Sequence, residues 1–246
     1  MGSTFPTKAI ILNRRDWREA DRLVSVYTPD YGRLNLLARG ARKAGSKLAP
    51  HLEPISLSRL LVVRGRKMNY VGAAMMDEAF LNIKNDLNKL YFAGKALSLF
   101  TRLVKEDEAD PELFAWLEKW LFNLEAAGGQ EPLEKQDGRF RLALFTWRLL
   151  AIFGYAPRLD KCVVCGRSLQ AGKNQFDLSK GGLVCGDCVR LPENQPVNGS
   201  LLPLSDNCIK LLRLVDGNAV KNIKFSPRLL KEWENLNLCF LNWCEN

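Results

Sequence analysis

The sequence predicts an α+β chain: a small N-terminal β-barrel, then an all-helical domain interrupted by a metal-held insert. Three observations carry that prediction. The first eighty residues read as short β-branched runs separated by turn residues. From Phe80 onward apolar residues recur three to four apart, which is the helical period. Between residues 158 and 192 that period stops, and two Cys-x2-Cys pairs appear, Cys162/Cys165 and Cys185/Cys188. The expected division is a barrel over 1–80 and a helical domain over 81–246, with the insert at 158–192.

The barrel strands are expected in order. Lys8–Leu12 is a short apolar run, and Arg22–Thr28 is β-branched and partly alternating. Pro29-Asp30-Tyr31-Gly32 is turn chemistry, so Arg33–Leu37 should return as a hairpin. Gly40 to Pro50 reads as a basic, flexible, small-residue loop. Ile55–Arg64 is the longest strand candidate, Gly65-Arg66-Lys67 turns the chain, and Asn69–Met75 closes the set. Five strands in about eighty residues suit a five-stranded OB-fold barrel. An SH3-like barrel fits the same pattern.

The first helix should follow Phe80, with Leu87, Leu90, Tyr91, Gly94, Leu97 and Leu99-Phe100 mostly three to four apart and so on one apolar face. The second is expected to be N-capped by Asp110, to start at Pro111 and to stop at Gly128-Gly129. The third is expected from about Leu133 to Phe153, and its core, Phe140 to Phe153, is apolar almost all round, which predicts a buried central helix. After the Pro-rich link Pro192–Pro203, helices are expected from Ser205 to Val215 and from Ser226-Pro227 to about Trp243.

Four soft thiolates at this spacing are the ligand set of a tetrahedral zinc ion, so Cys162, Cys165, Cys185 and Cys188 are the predicted metal ligands. A redox switch or a nucleic-acid-binding ribbon would use the same residues. The insert holds no Glu or His to act as base or open-site ligand, which favours one closed, structural zinc. Cys208, Cys239 and Cys244 read as core thiols.

Net charge is +9 and unevenly spread. Arg33–Lys67 holds nine basic residues against one acid, Glu53, whereas 105–137 holds three lysines against ten acids. Such polarity presents one face to a polyanion. Nucleic acid is the first candidate, an acidic protein tail the second, and a solubilising surface the plain alternative. The binding candidates are Arg33, Arg39, Arg42, Lys43 and Lys47 on the hairpin and its loop, with Arg64 and Arg66 beside Lys67 at the later turn. Trp17, Tyr27, Tyr31 and Tyr70 could stack on bases, and about half of them should be core instead.

No enzyme site assembles. His51 is a lone histidine, neither GxxxxGK[ST] nor GxGxxG occurs, and Glu106 to Glu112 sit where acids favour a helix N-terminus. With no apolar run long enough for a membrane span and no export signal at Met1–Pro6, a cytoplasmic chain is expected.

The segment Asp21 to Lys43, with Thr28-Pro29-x-x-Gly32-Arg33 and then Leu34-x-Leu36-Leu37-Ala38-x-Gly40-Ala41-Arg42-Lys43, resembles the N-terminal barrel of the bacterial RecO family. Leu52-Glu53-Pro54 and Arg64-Gly65-Arg66 look like that family's next strand and turn. The layout of barrel, helical domain and four-cysteine insert is also similar. The resemblance implies a non-enzymatic DNA repair and recombination mediator that binds single- and double-stranded DNA, anneals complementary strands and helps load RecA. It implies RecR and the acidic tail of single-stranded-DNA-binding protein as partners. Carried onto matching positions, it makes Arg33, Arg39, Arg42 and Lys43 the DNA contacts, and it favours a structural role for zinc.

Overall fold

Inward apolar residues two apart close the N-terminal strands on themselves. The computed structural model describes residues 3–129, 131–191, 200–216 and 225–245. It divides into two compact units, Met1–Gly138 and Arg139–Asn246. The barrel strands of the first unit are β1 (Thr4–Trp17), β2 (Asp21–Thr28), β3 (Gly32–Ala38), β4 (Ser56–Val63) and β5 (Tyr70–Glu78). Their order is β1-β2-β3-β5-β4, closed by β4 on β1, and all pairs are antiparallel except β3/β5. This Greek-key closure is the OB-fold, so the choice that the strand pattern left open is resolved. Ala9, Ile11, Val24, Val26, Leu34, Leu36, Leu60, Val62 and Val71 fill the interior.

β1 extends beyond the five residues expected. Ile10 and Leu12 are buried as well as Ala9 and Ile11, so the strand is covered on both faces there. A bulge between Ile11 and Asn13 then carries it on through the polar run Asn13–Asp16. That polar tail breaks the apolar signal in the sequence.

The predicted β2–β3 turn forms. Thr28 Oγ1 donates to the Gly32 carbonyl at 3.0 Å and accepts from Tyr31 N–H at 3.2 Å. Gly32 has φ +62°, and a Cβ there would lie 2.0 Å from the Glu108 carbonyl oxygen. Only glycine satisfies both conditions.

That close approach has a topological cause. β3 meets β5 only at Leu37↔Tyr70, so the first half of β3 is left open on that side. Residues 105–108 fill the gap: Asp107 N–H donates to the Arg33 carbonyl at 3.1 Å, and Arg33 and Glu106 form a parallel bridge. The acidic stretch 105–137 therefore has local uses. Glu106 pairs with Arg33, Asp110 caps the helix after it, Glu118 pairs with Lys8, and Glu125 accepts from Asn82 and Ile83 N–H.

The helix expected after Phe80 is two helices, α1 (Leu81–Asn85) and α2 (Leu87–Leu103), because Asp86 is extended between them. Asp86 caps α2 by accepting from Asn88 and Lys89 N–H, and its other oxygen accepts from Leu133 N–H at 2.7 Å. Burial pushes its carboxyl up, but these three donors outweigh it and hold it below the usual range. The apolar face expected of α2 holds only in its second half: Leu97 and Phe100 are buried, but Leu87 is 84% exposed and Tyr91 57%, and Phe92, Ala93 and Ala96 are buried in their place. Alanines at 93 and 96 let neighbouring elements come close, and close packing outweighs side-chain size in choosing the inner face. α3 (Pro111–Glu125) begins as predicted, with Asp110 accepting from Leu113 N–H at 2.9 Å. Buried Lys89 donates from Nζ to the Glu125 carbonyl at the end of α3.

Gly138 lies under the Phe92 ring, where an added Cβ would fall 2.1 Å from two ring carbons. An exposed helix Gly→Ala change normally stabilises by about 1 kcal/mol. Here the ring, 3% exposed, has no room to yield. Overpacking costs about 1–3 kcal/mol, so Gly138→Ala is expected to destabilise by about 1 kcal/mol net. A lower denaturant midpoint checks the sign.

The second unit contains most of α4 (Lys135–Leu150), then β6 (Gln175–Asp177), β7 (Gly182–Val184), α5 (Gly186–Val189), β8 (Leu201–Pro203), α6 (Asp206–Asp216) and α7 (Pro227–Glu245). α4 is central as expected, with Phe145, Trp147, Leu149 and Leu150 at most 1% exposed. It ends in a wide turn through Gly154, φ +87°. Arg139 on α4 makes a paired bond to Glu234 on α7, Nε–Oε1 2.9 Å and Nη2–Oε2 2.5 Å. The short strands form a sheet in the order β7-β6-β8. Of the predicted Pro-rich link, residues 192–199 lie outside the described residues.

Candidate nucleic-acid interface and metal centre

Strand register decides which loops meet. Trp17 pairs with Asp21, Arg22 with Ala38, Leu37 with Tyr70, and Val63 with Tyr70. These pairs put the end of β1, the start of β2, the ends of β3 and β4 and the start of β5 at one rim. The β1–β2 turn, the chain leaving β3 and the β4–β5 turn therefore emerge together. The two basic clusters, some twenty residues apart in sequence, become neighbours because β3 and β5 run parallel.

The chain leaving β3 is laced down rather than flexible. Gly40 N–H donates to Asp21 Oδ1 at 2.8 Å, and Arg42 N–H to the Ala20 carbonyl at 2.9 Å. The Arg42 side chain donates to the Arg18 carbonyl at 2.9 Å and pairs with Asp16 at 3.4 Å. Ala41 and Leu52 then turn into the barrel core, with Leu48 packed against it. Arg39, Arg42, Lys43, Lys47, Arg64 and Arg66 are all exposed. Arg39 lies over the Tyr70 ring at 4.5 Å, and Arg64 over Phe5 at 5.2 Å.

Arg33 is placed differently. It lies at the far end of β3, half-buried, with Nη2 3.2 Å from Glu106 Oε1. Geometry does not bring it to the rim. The register also adds cations the sequence reading did not select, Arg15 beside Trp17 and Arg18 in the β1–β2 turn. The turn residues Arg18-Glu19-Ala20 include no Gly, Pro or Asn, so only the pairing of Trp17 with Asp21 reveals this hairpin. Of the four barrel aromatics, Tyr27 is core, edge-on to Phe100 at 4.8 Å, and Tyr31 packs on Phe5 at 4.2 Å. Trp17 and Tyr70 remain half-exposed at the rim.

In the second unit the two Cys-x2-Cys turns converge. The Sγ atoms of Cys162, Cys165, Cys185 and Cys188 all lie within 4.8 Å of one another, and Cys165 and Cys185 are 3.8 Å apart. A tetrahedral ion with Zn–S bonds of about 2.3 Å needs S···S edges of about 3.8 Å, so the ligand set fits zinc. Each turn is built for this. Gly166 (φ +70°) returns its N–H to the Cys162 carbonyl, and Cys162 N–H donates to the Arg167 carbonyl. Val163 N–H ties the first turn to β7, and Val189 N–H donates to the Cys185 carbonyl.

The surrounding donors tune the thiols. Burial pushes Cys162 up, but N–H groups of Cys165, Cys185 and Val164 outweigh it and lower it. The Arg167 guanidinium, Nε 3.4 Å from Sγ, draws exposed Cys165 down to about 6. Burial pushes Cys188 up to about 12, so metal binding must displace its proton. Four thiolates would complete a tetrahedral shell around an ion and leave no position for water, and they join the 162–165 turn to the end of β7 and α5. None of the seven cysteines is in a disulfide, and burial pushes core Cys208 up to about 12. Among the described residues no helix is long and apolar enough to cross a membrane.

Residues 1–80 match the family described as Recombination protein O N terminal, and residues 84–243 match Recombination protein O C terminal. The DNA repair protein RecO of Dehalococcoides mccartyi is 34% identical, over 94% of this chain and 86% of its own length. That of Roseiflexus sp. strain RS-1 is 32% identical over 96% of this chain and 80% of its own. That of Myxococcus xanthus is 35% identical over 80% of this chain and 78% of its own. Two family matches that together span both units, and one-third identity along most of the chain, make it a member of the RecO family, with a role in recombinational DNA repair.

Proposed function

We propose that this chain is a non-enzymatic mediator that binds DNA at the barrel rim, anneals complementary strands and helps load recombinase onto protein-coated single strands. The gathering of Arg39, Arg42, Lys43, Arg64 and Arg66 at one rim by the parallel β3/β5 pairing carries this reading. Exposed cations there would displace counterions from two phosphate backbones and so lower their mutual repulsion. Residues 1–80 are the DNA-binding domain in this reading, and the helical domain, 81–246 with its insert at 158–192, docks RecR and the acidic tail of single-stranded-DNA-binding protein. One structural zinc is held by the four cysteines, and the work is done in the cytoplasm, at the nucleoid. Fluorescence anisotropy with a single-stranded oligonucleotide tests the binding step. Tight binding at about 50 mM salt that weakens steeply by about 200 mM is expected, and no binding at the lower salt would overturn it.

Arg33 lies off that rim, and in this reading it is a reserve contact for a strand that runs on along β3, held until then by Glu106. An exposed ion pair contributes up to about 1 kcal/mol. Glu106→Gln is therefore expected to raise DNA affinity by about two- to fivefold in the same assay. An unchanged affinity removes Arg33 from the interface.

A further inference from the structure

We infer that Trp17 and Tyr70 form a two-ring platform that stacks unpaired bases and makes the rim selective for single strands over duplex. The inference rests on the proposed DNA-binding rim and adds the class of strand it recognises. Val24, Leu36, Ala38 and Val71 point into the barrel, so by strand alternation their neighbours Leu23, Leu37, Arg39 and Tyr70 face outward. Arg15 lies opposite Leu23 and Trp17 opposite Asp21, which places Trp17 on the same outer side. Across β2 and β3, Trp17 and Tyr70 are three strand spacings apart, about 15 Å. That span accommodates several nucleotides of one extended strand.

Both rings are half-exposed, and each carries an arginine, Arg15 over Trp17 at 5.5 Å and Arg39 over Tyr70 at 4.5 Å. A guanidinium over a ring occupies the place a base would take. When a base slides onto the ring, the freed arginine can turn to the phosphate beside it, so stacking and charge neutralisation come together. A duplex offers only base edges and no free π-face, so it gains the phosphate contacts without the stacking. Tyr27 and Tyr31 cannot serve in this way, because their rings are packed against Phe100 and Phe5.

The test compares three probes at one salt concentration: an oligothymidine, a base-free strand of the same length, and a duplex. Wild-type protein is expected to bind oligothymidine at least tenfold tighter than the base-free strand. Trp17→Leu and Tyr70→Leu should each lose roughly fivefold or more on oligothymidine and almost nothing on the other two. Equal wild-type affinity for the thymidine and base-free strands overturns the platform without requiring any variant to fold. So does an equal loss on all three probes, which would mean the rings only support the rim. If Arg39→Glu/Arg42→Glu weakens binding to every probe while the rings have no effect, the platform alone falls. If that double variant binds all three normally, the rim reading falls and takes the platform with it.

Discussion

Replacing both Arg39 and Arg42 with glutamate is expected to lower affinity for single-stranded DNA by about 100-fold or more at 50 mM salt, by replacing two attractions with two repulsions at the rim. Losing two phosphate contacts should also flatten the plot of log affinity against log salt by about 1.4 for a single strand. The two positions do different things. Arg39 is exposed over Tyr70, whereas Arg42 also holds the Arg18 carbonyl and Asp16. Arg42→Gln alone separates charge from architecture: it removes the charge but can still donate to the carbonyl. The barrel core, Ala9 to Val71, is untouched by these changes, so an unchanged circular dichroism spectrum is expected. Affinity within about threefold of wild type would place the DNA elsewhere.

Cys185→Ser should have the largest effect on stability. Structural zinc contributes about 10–16 kcal/mol of apparent binding free energy at neutral pH in small fingers. The elements the four thiolates tie together are two strands of three residues and a helix of four, too small to bury a core of their own. The variant is expected to lose its zinc by elemental analysis and to shed the lowest-temperature part of its thermal transition. DNA affinity at the barrel should fall by less than about threefold. Full zinc occupancy in the variant would overturn the ligand assignment, and a large loss of DNA binding would make the insert part of the interface. Zinc affinity should rise with pH, because binding takes the proton that burial holds on Cys188 up to about pH 12. Proton release on adding zinc measures it.

Much of this was legible in the residues, for identifiable reasons. Thr28 to Gly32, Asp110-Pro111 and the cysteine pairs each encode a local geometry that nothing distant overrides, and each appears as read. Charge concentration marked Arg39 to Lys47 and Arg64 to Lys67, but only strand register could bring them to one rim. What failed depended on distant partners. The polar end of β1 is a strand because β2 pairs with it, and this hid Arg15 and Arg18. The first half of the inner face of α2 was missed because Ala93 and Ala96 bury completely while Leu87 does not. Arg33 looked like its neighbours until the acidic 105–108 segment was seen along β3.

The most direct measurement is annealing of complementary oligonucleotides already coated with single-stranded-DNA-binding protein. Wild-type chain is expected to accelerate duplex formation at low salt and to lose that effect as salt rises, and Arg39→Glu/Arg42→Glu should not accelerate it at all. Acceleration by that double variant equal to wild type, or none by wild type itself, would contradict a mediator working through the barrel rim.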